Sequence, residues 1–197
     1  VCCPYSEEWC YPCVAGSVMD SKKFAYADPP YIGCGKKLYG DATYDDPKAH
    51  QSLISQLCDQ YPDGWAMSLH SPSLKIILPM CPDDCRVAAW VKPFAVFKVG
   101  VNPGYCWEPV IFRGGRKKRS RKDDTVRDYH SEPITMRKGL PGAKPPGFAK
   151  WIVDLLGADV RCGDTITDIF HGTGAMLGVW RPVGIVDHTP LKHDGMA

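Results

Sequence analysis

With 197 residues, 44% of them hydrophobic and 11% aromatic, the chain has the length and apolar content of one globular domain with its own core, not of two. No run approaches the roughly 18 apolar residues of a membrane span, and residues 1–20 lack the basic-then-apolar layout of a secretory signal, so a soluble, cytoplasmic protein is expected. The net charge of +2 is uneven: between Arg113 and Lys138 ten Lys/Arg face four Asp/Glu, leaving that segment at +6 and the rest at −4.

Residues 1–20 show neither a helical nor a strand period and read as an appendage to a domain spanning 21–197. Cys2, Cys3, Cys10 and Cys13 crowd into it, the last two as C-x-x-C. Four soft ligands suit zinc, but the second C-x-x-C of a zinc site is missing, and no metal is expected. A zinc-dependent interaction module remains a minor alternative. Phe24 to Ala27 (FAYA) is a short apolar strand that must stop at Asp28-Pro29-Pro30-Tyr31, because a double proline cannot continue a central strand. Asp46-Pro47 opens a helix with a capping acid and a proline in its first turn; Leu53, Ile54, Leu57, Cys58 and Tyr61 share one face, and Pro62-Asp63-Gly64 closes it.

Trp65 to Leu69 reads as a strand, Pro72 to Leu78 as a short helix and Arg86 to Val91 (RVAAWV) as another strand. Alternating strands and helices predict parallel βαβ units. Glu108 to Phe112 (EPVIF) is a further strand that runs into the basic segment. Clustered lysine and arginine are the footprint of a surface that meets a polyanion, here Arg116, Lys117, Lys118, Arg119, Arg121 and Lys122. A merely solvated charged loop is the alternative. Pro145-Pro146 then precedes a helix with the stripe Phe148, Ile152, Leu155 and Leu156, ended by Gly157. Asp164 to Ile169 (DTITDI) is a strand leading into Phe170-His171-Gly172-Thr173-Gly174 and a helical start at Ala175 to Trp180.

Two motifs carry chemistry. Asp168 to Gly174 is a glycine-rich turn between strand and helix, where a ligand can approach the backbone and the free N–H groups of a helix start. Leu177 stands where a dinucleotide fingerprint wants its third glycine, so such a cofactor is not indicated. Asp28-Pro29-Pro30-Tyr31 is the second. An aromatic amine is a poor nucleophile, its lone pair being delocalised into the ring. A carboxylate and a backbone carbonyl can accept its two N–H bonds and hold it out of plane. Prolines preorganise those acceptors, and a tyrosine face suits an extruded base.

Taken together and in this order, the two motifs resemble the β class of DNA amino-methyltransferases, in which D-P-P-Y comes first and the cofactor loop lies near the C-terminus. Tyr105 to Phe112 (YCWEPVIF), the basic segment and Ala143-Lys144-Pro145 with its helix are similar to intermediate features of that family. The resemblance spans about residues 24–188. It implies an α/β fold of the Rossmann-like, doubly wound kind: a mixed, mostly parallel sheet with helices on both faces, the D-P-P-Y strand beside the glycine-loop strand in permuted order. It implies S-adenosylmethionine as cofactor, held by Asp168, Phe170, Gly172 and Gly174, with Asp168 near its cationic amino group, Lys144 on its carboxylate and Asp187 on its ribose. It also implies a basic target-recognition insertion at about 113–139, and catalysis by Asp28, Pro29, Pro30 and Tyr31 on the exocyclic amino group of a DNA base. Asp28 favours adenine N6; N4-cytosine, RNA adenine and an inactive nucleic-acid-binding member remain alternatives. His171 stands where family members usually carry a small residue, proline or asparagine.

Overall fold

The computed structural model describes residues 21–94, 99–117, 125–134, 143–159, 162–171 and 176. Among these residues the α-helices and β-strands are, in chain order, β1 (Lys23–Ala27), α1 (Gly35–Tyr39), α2 (Pro47–Gln60), β2 (Gly64–Ser68), α3 (Ser71–Ile77), β3 (Arg86–Val91), β4 (Trp107–Gly114), β5 (Tyr129–Ser131), α4 (Pro146–Leu156) and β6 (Thr165–Asp168). The expected capping holds: the Asp46 carboxylate accepts from the backbone N–H of Lys48 at 2.9 Å, with Pro47 in the first turn. Gly157 ends α4 in the left-handed conformation, φ 64°, its N–H on the Asp154 carbonyl at 3.1 Å.

The strands form one six-stranded sheet in the order β5-β3-β4-β2-β1-β6. β1 pairs in parallel with both β2 and β6, so the two motif-bearing strands are neighbours, with Tyr26 level with Asp168. The run of parallel βαβ units expected from the alternation is interrupted. β3 does not pair with β2; β4 lies between them, antiparallel to both. Strand order follows from which apolar faces meet, and the alternation of elements carries no information about a strand inserted later in the chain. Gly114 lets β4 end against β2, since at φ 69° a Cβ there would stand 2.7 Å from the Asp63 carbonyl oxygen. β5, inside the basic segment, extends the sheet beside β3.

Alternation along the strands sends side chains to two cores. On one face α4 lays Phe148, Ile152 and Leu156 over Phe24, Tyr26, Trp90 and Phe112. On the other, Leu53, Ile54 and Leu57 of α2 and Ile77 of α3 cover Ala25, Ala27, Trp65, Met67 and Ile111. The result is an α/β sheet with helices on both faces, a Rossmann-like arrangement. Among the described residues no helix is long and apolar enough to cross a membrane.

Candidate active site

In a sheet of this kind, groups just past the carboxyl ends of the parallel strands share one edge. Asp28-Pro29-Pro30-Tyr31 follows β1, His70 follows β2, Lys92 follows β3 and Asp168 closes β6. β4 runs the other way, so its beginning, with Glu108, lies at the same edge, level with Trp90. Lys144 arrives from the segment before α4.

These side chains form a connected cluster. The Lys144 ammonium lies 3.0 Å from each Asp28 carboxylate oxygen, 3.0 Å from the Tyr31 hydroxyl and 3.4 Å from Glu108 Oε2. The rings of Trp90, Tyr31 and Phe148 stand 5.5, 5.6 and 5.9 Å from it. Glu108 also takes the Lys92 ammonium and the Tyr31 hydroxyl, the latter at 2.8 Å, while Tyr31 Oη is 3.3 Å from Asp28 Oδ1. The Tyr31 ring stacks on His70, centroids 5.2 Å apart and planes within 6°. His70 Nδ1 is in turn 2.8 Å from the Ser73 hydroxyl.

Burial alone would push Lys144 toward neutrality, but the Asp28 and Glu108 carboxylates outweigh it and raise its pKa. Burial would likewise raise Glu108; the Lys144 and Lys92 ammoniums overcome this and hold it below the usual carboxylate range. Each of the two lysines thus faces at least one carboxylate of the cluster. Tyr31 is kept a neutral hydroxyl by burial, with Asp28 and Glu108 adding to the effect.

Asp168 is in a different state. Its Oδ1 is buried without a hydrogen-bond partner among the described residues. Burial pushes its carboxyl up to about 6, His171 and the Phe170 N–H work against that, and Asp28 adds to it. A buried carboxylate oxygen with an open acceptor is what a cationic ligand group would satisfy. Phe170, next along the turn, meets the edge of Tyr44 with centroids 5.2 Å apart; Tyr44 meets His50 in the same way at 5.4 Å.

Other expected site residues fall elsewhere. Arg116 lies past the end of β4 and therefore at the opposite edge of the sheet. Its guanidinium donates to both oxygens of Asp164 at 2.6 and 2.8 Å, and its N–H to the Leu156 carbonyl at 2.8 Å. Lys117 is exposed beside it. Gly172, Gly174, Asp187, Lys118, Arg119, Arg121, Lys122 and the four N-terminal cysteines lie outside the described residues. Lys144, expected from the resemblance on the cofactor's carboxylate, directs its ammonium at Asp28, Tyr31 and Glu108. Sequence reasoning gave no role to Glu108, Lys92 or His70. Their one signal is position: each is a polar residue at a strand end on the ligand edge.

No family model matches the sequence, and no curated protein matches it. Among solved structures the chain is similar to M1.HpyAVI in complex with SAM (14% identity over 79% of this chain and 76% of that one, TM-score 0.49). It is also similar to TTHA0409 of Thermus thermophilus, assigned as a DNA modification methylase and complexed with S-adenosyl-L-methionine (17% identity over 80% and 74%, TM-score 0.47).

Proposed function

We propose that the chain transfers a methyl group from S-adenosylmethionine to an exocyclic amino group of a DNA base, adenine N6 in the first instance. The observation that carries the reading is the adjacency of β1 and β6, which brings a proline-fixed carboxylate, Asp28, beside a buried, partly unsatisfied one, Asp168. When bound, the cofactor supplies an electrophilic methyl on a positively charged sulfur. Asp168, with its open Oδ1, would hold the cationic amino group, and Phe170, Gly172 and Gly174 would contact the cofactor. Pairing with a cation would bring Asp168 back to its ionised form at neutral pH.

On the acceptor side, Asp28 keeps acceptor capacity beyond its bonds to Lys144, since a carboxylate has about four lone-pair sites. Asp28 and the Pro29 carbonyl would take the two N–H bonds of the target amine and free its lone pair for in-line attack. Pro29 and Pro30 hold both acceptors still. His70 fixes the plane of Tyr31, against which the base would stack. Lys144 pairs with Asp28, which therefore acts as an oriented acceptor rather than as a strong base. The proton lost by the methylated amine would pass to solvent. The basic run Lys118, Arg119, Arg121 and Lys122 would meet phosphates, on the strength of its charge.

The test is transfer of labelled methyl to DNA by the wild type and by Asp28→Ala, with digestion of the product to nucleosides. Methyl on adenine N6 in the wild type, and loss of transfer with cofactor binding retained in the variant, are expected. Methyl on cytosine N4, or transfer to RNA alone, would correct the substrate. Unchanged turnover of Asp28→Ala would remove the mechanism.

A further inference from the structure

Resting on that reading, we propose that Glu108 is a positioning residue: by taking the single hydroxyl proton of Tyr31 it keeps that proton off Asp28, leaving a carboxylate oxygen there for the target amine. Tyr31 Oη stands among three groups. It accepts from the Lys144 ammonium at 3.0 Å, so its own proton must go to a carboxylate. Two are within reach, Glu108 Oε2 at 2.8 Å and Asp28 Oδ1 at 3.3 Å. The shorter contact lies in the normal O–H···O range and the longer outside it. The proton belongs to Glu108.

Glu108 is suited to the task. Its carboxylate is held low by Lys144 and Lys92 against the effect of burial, so it remains an acceptor. It is also anchored at both ends, by the β4 ladder opposite Trp90 and by the Lys92 ammonium. Without it, the hydroxyl's remaining acceptor is Asp28. Lys144 already bonds both Asp28 oxygens, and a third donor from Tyr31 would compete for Oδ1 with the N–H of the base. The amine would then be held by fewer bonds and less out of plane. Glu108 itself touches neither base nor cofactor in this arrangement.

The competition gives a signature that a purely structural acid would not show. Glu108→Ala should lower kcat/KM for methyl transfer by about tenfold, the size expected when one acceptor bond in a site is lost. Glu108→Gln, which keeps an acceptor for Tyr31, should fall between it and the wild type. Adding Tyr31→Phe to Glu108→Ala removes the competing donor while keeping the ring, and should recover most of the loss. Additive losses in the double variant would overturn the proposal.

A second measurement is independent of turnover. In thermal unfolding, Tyr31→Phe should couple more strongly to Glu108→Ala than to Asp28→Ala. The reverse pattern would place the proton on Asp28 and refute the inference. A wild-type chain that transfers no methyl group would remove the methyltransferase reading, and the unfolding pattern would still decide where the Tyr31 proton resides.

Discussion

Strand β6 has an aspartate at each end, and the fold treats the two oppositely. Asp164, just before the strand, is fully engaged. It accepts from the backbone N–H of Lys22 and of Asp159, each at 2.9 Å, and from the Arg116 guanidinium through both oxygens. It thereby ties the start of β1, the end of β4 and the turn after α4 into one knot. Asp168, four residues later, is nearly as buried but keeps one oxygen without a partner among the described residues, and its carboxyl is raised to about 6. An acid satisfied on every side stabilises the fold; an acid left partly unsatisfied at a ligand edge costs stability and is available for binding.

Mutating the two ends should separate stability from function. The largest effect belongs to Asp164→Ala, which removes a buried acceptor of four hydrogen bonds. Unfolding free energy should drop by about 3–5 kcal/mol in denaturant titration. If Asp164→Ala impaired cofactor binding while leaving stability intact, the division of labour would be refuted.

Asp168→Asn should behave in the opposite sense. The folded-state carboxyl, at about 6, lies above its ordinary value of 3.8, so the folded chain holds the proton over that window while the unfolded chain releases it. The cost to stability is therefore absent below about pH 4, grows between about 4 and 6, and is complete above. The variant should be more stable than the wild type near pH 7, with the advantage gone near pH 4, as read by thermal melts across pH. Its affinity for S-adenosylmethionine should collapse. In the wild type that affinity should weaken by about tenfold for each pH unit below about 6, measurable by calorimetry.

Smaller effects lie on the ring that joins the outer strand to α4. Trp151 donates its indole N–H to the Arg127 carbonyl at 2.9 Å, and Trp151→Phe should cost about 1 kcal/mol in denaturant titration. The exposed Lys150–Asp154 pair on α4 is the minimal case: Lys150→Ala should change stability by less than about 0.5 kcal/mol.

Much of this was legible in the residues. The FAYA strand before a double proline, the Asp46-Pro47 helix start, the RVAAWV strand and the α4 stripe closed by Gly157 all form where hydrophobic period and capping residues put them. Their signals are local, and local signals survive without knowledge of neighbours. The small elements were not legible. α1 holds five residues and β5 three, too short to show a period, and β5 exists because β3 offers it an open edge. The ion pair of Arg116 was equally invisible, since a run of basic residues looks the same whether it meets phosphate or a buried aspartate 48 positions away.

What the sequence determined by itself was the chemistry on offer: a carboxylate fixed by prolines, a glycine-rich turn after an acid, and helices able to cover both faces of a sheet. What tertiary structure decided was which of these meet. Because β4 runs antiparallel, its first residues reach the edge where β1 and β6 end, and its last residues reach the other. That one direction places Glu108 against Tyr31 and Lys144 and sends Arg116 to Asp164. Strand direction is set by the pairing of whole apolar faces, a property of the assembled sheet that no single segment carries.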